Sequence, residues 1–439
     1  MILNDIFMTI NHAIWGWPLL IFVVGVSIVA TVSLNFVQIT QFVKAWKLML
    51  FPSEGAAIGD MTPFEALVNA LSTSIGNGSI AGIATAIYQG GPGAAFWIFV
   101  FGILSMSIRY AEVFLSTFFK PLTEAGNTIG GPMIYLQRVP GGKVLSYFFA
   151  FFLLFLGLSS GNAMQANSIR IGFGRILNTE PLVVAIFLLL FIAYVMAGGA
   201  KRIVQVSEKI VPIKVGLFFI SALIVLIYHA PSLLHAIKLI FIGAFYPKAL
   251  AGGVSGFLVQ HALRYGIVRS VNATEAGLGT AAVLFGGTGA TDPKNNGIMS
   301  MVSVFISANL VCFMVALMII VSGVWDNGQT SLDLTISAYE TVFGAFGGWV
   351  VTLLSVSFGM GVLVTYGYIA RSCWLFLTNG KFEIVFKILF CTVTFLGALA
   401  QVEAVWNAAD LANAGLLIVN LFGIAWLLPT VRRELLKTA

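Results

Sequence analysis

Ser72-Thr73-Ser74-Ile75-Gly76-Asn77-Gly78-Ser79-Ile80-Ala81-Gly82 is the stretch on which the reading of the fold turns. Apolar sequence flanks it, from Phe64 to Val68 and from Ile80 to Ile87, and the whole window is long enough to cross a bilayer. Its centre is Ser, Thr, Gly and Asn, which loosen a helix and offer short polar groups. In lipid such an interruption survives only where protein or a water-filled cavity satisfies the freed backbone. Transporters hold small solutes at breaks of this kind, because half-helix ends present unpaired N–H and C=O groups. The same residues also suit a kinked packing helix, since small side chains let helices approach closely.

The rest of the chain favours the membrane reading. Of 439 residues, 59% are hydrophobic and only 9% charged, against about 25% charged in soluble domains. Such a chain cannot cover a soluble surface. The formal charge of +6 fits basic cytoplasmic loops rather than nucleic acid. Cys312, Cys373 and Cys391 lie in apolar runs without metal-ligand spacing and read as core residues. Residues 1–9 include Asp5 but no Lys or Arg, so the basic start of a signal peptide is missing.

Eleven hydrophobic spans are expected, near 14–38, 63–88, 93–119, 144–167, 181–198, 204–228, 248–268, 293–322, 348–377, 383–400 and 403–430. With the N-terminus outside, eighteen of the 23 Lys and Arg residues fall on the cytoplasmic side. Four fall outside and one, Lys214, lies within a span. A multi-pass plasma (inner) membrane protein with a cytoplasmic C-terminus follows. Two loops are long: residues 120–143 inside and 324–347 outside, the second with helical periodicity from Leu332 to Phe346. That segment suits a lid over a site, or passive cover.

A second interruption appears at Ala251-Gly252-Gly253-Val254-Ser255-Gly256, in the seventh span. The first break is in span two, five spans earlier, so the two broken helices run in opposite directions. That is the signature of an inverted five-plus-five repeat with a solute site at the midplane. The expected organisation is an extra helix and linker over 1–62, a first five-helix repeat over 63–228, and a second repeat with a short tail over 229–439.

Several motifs now fall into a known order: Gly76-x-Gly78-x-Ile80-Ala81-Gly82, Gly90-Gly91-Pro92-Gly93 with Phe96-Trp97, Glu112, and Gly130-Gly131-Pro132-Met133 with Tyr135. Gln165-x-Asn167-Ser168, Arg264-Tyr265-Gly266, Arg269, Glu275-Ala276-Gly277-Leu278-Gly279, Trp406, Asp410 and Asn413 follow. Over nearly its whole length the chain resembles the alanine or glycine:cation symporter family, the sodium:alanine symporters. The resemblance implies an all-α leucine-transporter-type fold and uptake of alanine, glycine or similar small neutral amino acids, usually with sodium. It places substrate at Gly76, Asn77, Gly78 and Ser79, at the facing break Gly252, Gly253 and Val254, and at Gln165. Physical chemistry agrees: half-helix N–H groups suit a carboxylate, while carbonyls and the Gln165 amide oxygen suit an ammonium. Gln165 also reads as a plain interhelical hydrogen bond.

The departures from the family concern the cation. Its first break usually reads Gly-Thr-Gly-Asn, and here reads Gly76-Asn77-Gly78-Ser79. Where the family has paired threonines that help hold sodium, this chain has Met360 and Gly361, which offer no side-chain oxygen to a hard cation. Span six carries Val211-Pro212-Ile213-Lys214, with an ammonium where the family has an apolar residue. An intramembrane Lys is costly and marks function by default. In some proton-coupled relatives of this fold a lysine on the corresponding helix occupies the sodium position. Lys214 is therefore expected to replace sodium, with transport proton-coupled or uncoupled and the lysine able to gain and lose a proton during the cycle, unless it snorkels to the interface. Sodium and the proton are the candidate coupling ions, and no cofactor is expected.

Other charged groups are less decisive. Glu112 and Arg109 read as a structural pair at helical spacing. Arg264, Arg269 and Glu275 suit an inner gate network or a plain salt-bridge cluster. Asp410 suits packing or a proton path. A membrane-embedded enzyme is disfavoured, because His12, His229, His235 and His261 are scattered without ligand spacing and no nucleophile triad stands out. A non-transporting sensor would carry a soluble output domain, and only the tail from Arg432 to Ala439 follows the last span.

Overall fold

Backbone groups inside lipid have no water to bond, so apolar runs of this length close on themselves as helices. In the computed structural model, which describes residues 14–52, 59–120, 129–245, 259–289, 292–400 and 403–437, that is what the chain does. Among the described residues the only extended pairing is an isolated bridge between Met61 and Thr288.

Helix α1 spans Trp17–Ser33. The broken span begins at α2, Pro63–Ser74. Thr62 caps it: its hydroxyl accepts from Glu65 N, and the Glu65 carboxylate accepts from Thr62 N at 2.6 Å. This reciprocal arrangement satisfies two of the otherwise orphaned donors at the helix start. The helix stops at Ile75, whose ψ of 80° leaves the helical region. A π-helical turn, Gly78–Gly82, then restarts the chain into α3, Ile83–Gly90.

Then come α4 (Gly93–Phe118), α5 (Gly142–Leu158), α6 (Met164–Leu177), α7 (Pro181–Ala197) and α8 (Gly199–Tyr228). The second half holds α9 (Leu233–Phe245), α10 (Val259–Thr274), α11 (Thr280–Gly286), α12 (Pro293–Val304) and α13 (Phe313–Val321). It closes with α14 (Ser331–Phe343), α15 (Phe346–Leu377), α16 (Glu383–Leu399) and α17 (Glu403–Leu436). Further π-helical turns join α5 to α6 at Ser159–Ala163 and α12 to α13 at Phe305–Cys312. Among the described residues, six helices or joined helix pairs are long and apolar enough to span a membrane, and three shorter apolar helices accompany them.

Helix α4 packs along α10 and α12, while α15 is gripped by α5, α6, α8 and α14. The broken span touches elements of both groups: α2 packs on α8, α12 and α15, and the π-helical turn after it packs on α10 and α14. The loop motif Gly130-Gly131 presses on α11 so closely that a Cβ on Gly130 would fall 2.4 Å from Gly286 Cα.

Two expectations about spans change. The fourth does not stop near residue 167 but continues through its π-helical turn to Leu177, because Arg170 and Arg175 interrupt the hydropathy without breaking the helix. Of the seventh, expected over 248–268, residues 259–268 are helical within α10 and residues 248–258 lie outside the described residues, while a further helix, α9, precedes it. His235 and Lys238 disguise α9 as a loop, and α10 is too rich in Gln, His, Arg and Asn to stand out by hydropathy. The expected break residues Gly252, Gly253 and Val254 lie outside the described residues. The segment expected to be helical over the site is helix α14.

Candidate functional site

A cavity of about 460 Å³ opens beside the first break and reaches α14 through Ser331 and Leu332. Gly76, Asn77, Gly78 and Ser79 all line it, as does Gln165 from α6. Asn77 Nδ2 donates to Gln165 Oε1 at 3.3 Å, and Gln165 Nε2 donates to the Ser160 carbonyl at 3.1 Å. Gln165 is thus held by the π-helical turn before it and by the break opposite. Asn77 Oδ1 is buried with no hydrogen-bond partner, an acceptor at the cavity wall. Ser79 turns its hydroxyl back to the Ser74 carbonyl at 3.0 Å, bracing the break.

Behind the break the arrangement is cationic. Lys214 is fully buried, so it does not snorkel. Its Nζ donates to the Ser72 and Ile75 carbonyls at 2.8 Å each and lies 5.6 Å from the centre of the Phe358 ring. These are last-turn carbonyls of α2, which have no partner within the helix and sit at the negative end of its dipole. Gly361 is the residue that makes room: a Cβ there would fall 2.7 Å from Lys214 Nζ and 2.9 Å from Ser72 Oγ. Met360 packs against the apolar core instead. The ammonium thus occupies both carbonyls, and Gly361 adds no side-chain oxygen beside it.

The three gate candidates do not form one network, for no hydrogen bond or ion pair joins them. Arg264 lies against the Tyr265 ring. Arg269 lines the cavity with Asp410, and their charges act on each other. Glu275 lines the cavity at its floor, accepting from Tyr366 Oη at 2.7 Å and from Thr280 Oγ1 at 2.8 Å, and its charge reaches Lys214. Arg109 and Glu112 do form the expected pair, at 3.0 Å and fully buried. Glu112 also accepts from Gly277 N and Asn420 Nδ2. Tyr366 and Phe358 escaped the sequence reading, because a lone aromatic on an apolar helix looks like core.

At the basic end of the molecule a clasp precedes α2. Asp60 N donates to Gly287 O, Tyr368 Oη donates to Asp60 Oδ2 at 3.1 Å, and Lys120 Nζ donates to the Thr288 carbonyl. Burial pushes the Asp60 carboxyl above its ordinary 3.8, against the Tyr368 hydrogen bond and the charges of Arg371, Lys120 and Lys201. Burial likewise pulls the Lys120 ammonium down to about 8, partly offset by Asp60.

The sequence matches the sodium:alanine symporter family over residues 1–437. The chain belongs to that family. It is a multi-pass membrane symporter of amino acids, not an enzyme. The sodium/alanine symporter AgcS of Methanococcus maripaludis is 32% identical over 435 residues, covering 97% of this chain and 95% of that one. The putative sodium/proton-dependent alanine carrier protein YrbD of Bacillus subtilis is 26% identical over 442 residues, covering 96% and 90%. The probable sodium/glutamine symporter GlnT of the same organism is 27% identical over 428 residues, covering 96% and 88%. Among solved structures, a Na+-coupled sialic acid symporter in a substrate-bound outward-open state superimposes with a TM-score of 0.55 at 11% identity, over 93% of this chain and 87% of that one. That likeness establishes the leucine-transporter-type fold alone.

Proposed function

We propose that this symporter carries small neutral amino acids of the alanine and glycine class, and that its coupling ion is a proton held by Lys214 rather than sodium. The observation that carries the coupling is the Lys214 ammonium seated 2.8 Å from two backbone carbonyls of the broken helix, with Gly361 opposite. A fixed positive charge there does what a bound cation would do, tying α8 to the end of α2. Losing the proton releases both carbonyls and lets α2 move, which couples protonation to conformation.

The substrate class rests on the break. The half-helix start at Gly78–Gly82 offers N–H groups and a positive dipole end to a carboxylate. Asn77 Oδ1 and the Gln165 amide suit an ammonium. The N-terminus is placed outside and the C-terminal tail in the cytoplasm, following the distribution of Lys and Arg.

Counterflow into vesicles preloaded with unlabelled amino acid tests the substrate class. Labelled alanine and glycine are expected to accumulate transiently, and glutamine much less. Strong counterflow of glutamine with none of alanine would overturn the small-substrate reading.

A further inference from the structure

From Lys214 toward the basic end, three helices place polar side chains on the same faces as the lysine site. On α8, Ser207 lies two helical turns from Lys214. On α15, Thr365 lies one turn beyond Gly361, and on α2, Asn69 lies one turn before Ser72. These side chains meet: Ser207 Oγ and Thr365 Oγ1 are 2.8 Å apart, and Thr365 Oγ1 donates to Asn69 Oδ1 at 3.4 Å. Asn69 Nδ2 is in turn anchored on the Glu65 carbonyl at 2.8 Å. All three residues are fully buried. Ser72 Oγ, next to the ammonium, is buried with no hydrogen-bond partner.

Three helices in lipid can pack with apolar side chains alone, so a polar file here calls for a reason beyond packing. The file starts at a buried ammonium and ends where Glu65 and Glu208, whose charges act on each other, stand at the mouth with Lys209. We infer that this seam is the route by which the proton of Lys214 reaches the basic side of the membrane, a role that rests on the proton-coupled reading above.

In the transfer one Lys214 N–H bond breaks and the lysine is left as a neutral amine. The proton passes along the hydroxyls of Ser72, Thr365 and Ser207 by rotation: Ser72 Oγ, unpartnered at rest, turns from the ammonium toward Thr365, and Thr365 gives up its bond to Asn69 Oδ1 to donate to Ser207, each hydroxyl taking one proton and handing on another. Asn69 orients Thr365 and does not carry the proton. Glu208 or Glu65 accepts the last proton as a carboxylate and returns it to water. The remaining groups around Lys214 suit this direction: Phe358 has no proton to exchange, and Glu275, on the cavity side, is already held by Tyr366 and Thr280.

The experiment uses the full chain in liposomes carrying a pH-sensitive dye, with alanine added outside. Coupled acidification and exchange of labelled alanine are read on the same vesicles. The variants are Ser207→Ala with Thr365→Val, and Thr365→Ser alone. The double variant is expected to lose about tenfold or more of the coupled acidification while alanine exchange stays near wild type. Thr365→Ser, which keeps the hydroxyl, is expected to behave as wild type. Coupled acidification unchanged in the double variant overturns the seam while leaving the proton-coupled reading intact. An equal loss of exchange and acidification makes the seam a packing feature and also overturns it. If the wild type exchanges alanine without acidification, the proton-coupled reading falls and the seam falls with it.

Discussion

On one side of the first break, α2 ends with the Ser72 and Ile75 carbonyls turned onto Lys214, in a space so full that Gly361 has no room for a methyl group. On the other side, Asn77, Gly78 and Ser79 border an open cavity, and a Cβ on Gly78 would meet nothing within 4 Å. In the function proposed above, the same few residues give a helix C-terminus to a cation built into the protein and a helix start to a solute that comes and goes. A helix dipole favours positive charge at its C-terminus and negative charge at its N-terminus. On that proposal one interruption serves a fixed ammonium at its C-terminal end and the carboxylate of a solute at its N-terminal end.

The largest effect should come from Lys214→Met. It removes the charge and leaves two buried carbonyls unpaired, at about 1–3 kcal/mol each. Proton-driven uptake should fall about a hundredfold or more. Uptake assays on the reconstituted variant check this, and near-normal uptake would erase the difference between the two faces. Gly361→Ala and Gly78→Ala sharpen the comparison as a pair. The first crowds Lys214 and should cost about 1–3 kcal/mol, read as a lower melting temperature in detergent. The second points into open space and should leave the melting temperature unchanged.

Gln165→Ala acts on the cavity face alone. It removes the partner of Asn77 and should weaken substrate binding by about tenfold, the worth of one or two hydrogen bonds, with little change in melting temperature. Binding measured by isothermal titration separates the two readouts. The smallest effect concerns the clasp outside the membrane. Because folding raises the Asp60 carboxyl above 3.8, the folded state holds its proton more tightly than the unfolded one. Its contribution is thus fully present below pH 3.8 and is lost as pH rises through the folded value. Asp60→Asn should melt progressively higher relative to wild type as pH rises from acid through that window, and a gap that shrinks would contradict the burial argument.

The break, the intramembrane Lys214 and the helical cover over the site were legible because each disturbs a hydropathy pattern at a single place. Gly76 to Ser79 interrupt an apolar run, and Lys214 is a charge within one. What the sequence hid are relations across the chain. Gly361 looked like a missing ligand, and its contact with Lys214 appears only when α15 packs on α8. Arg269 and Glu275, grouped by proximity in sequence, separate because Arg269 faces Asp410 while the left-handed turn at Glu275 aims its carboxylate at Tyr366 and Thr280. Helix α9 was missed because His235 and Lys238 dilute its hydropathy. The hydroxyls of Ser207 and Thr365 were invisible for the opposite reason: each sits singly in an apolar helix, and only their meeting gives them meaning.

The most direct test of the central claim is uptake of labelled alanine into proteoliposomes made from the purified protein in sodium-free buffer, with an inward proton gradient imposed. The built-in ammonium at Lys214 predicts accumulation above equilibrium without sodium, abolished when the pH gradient is collapsed. Accumulation that appears only with an inward sodium gradient and ignores the pH gradient would contradict it.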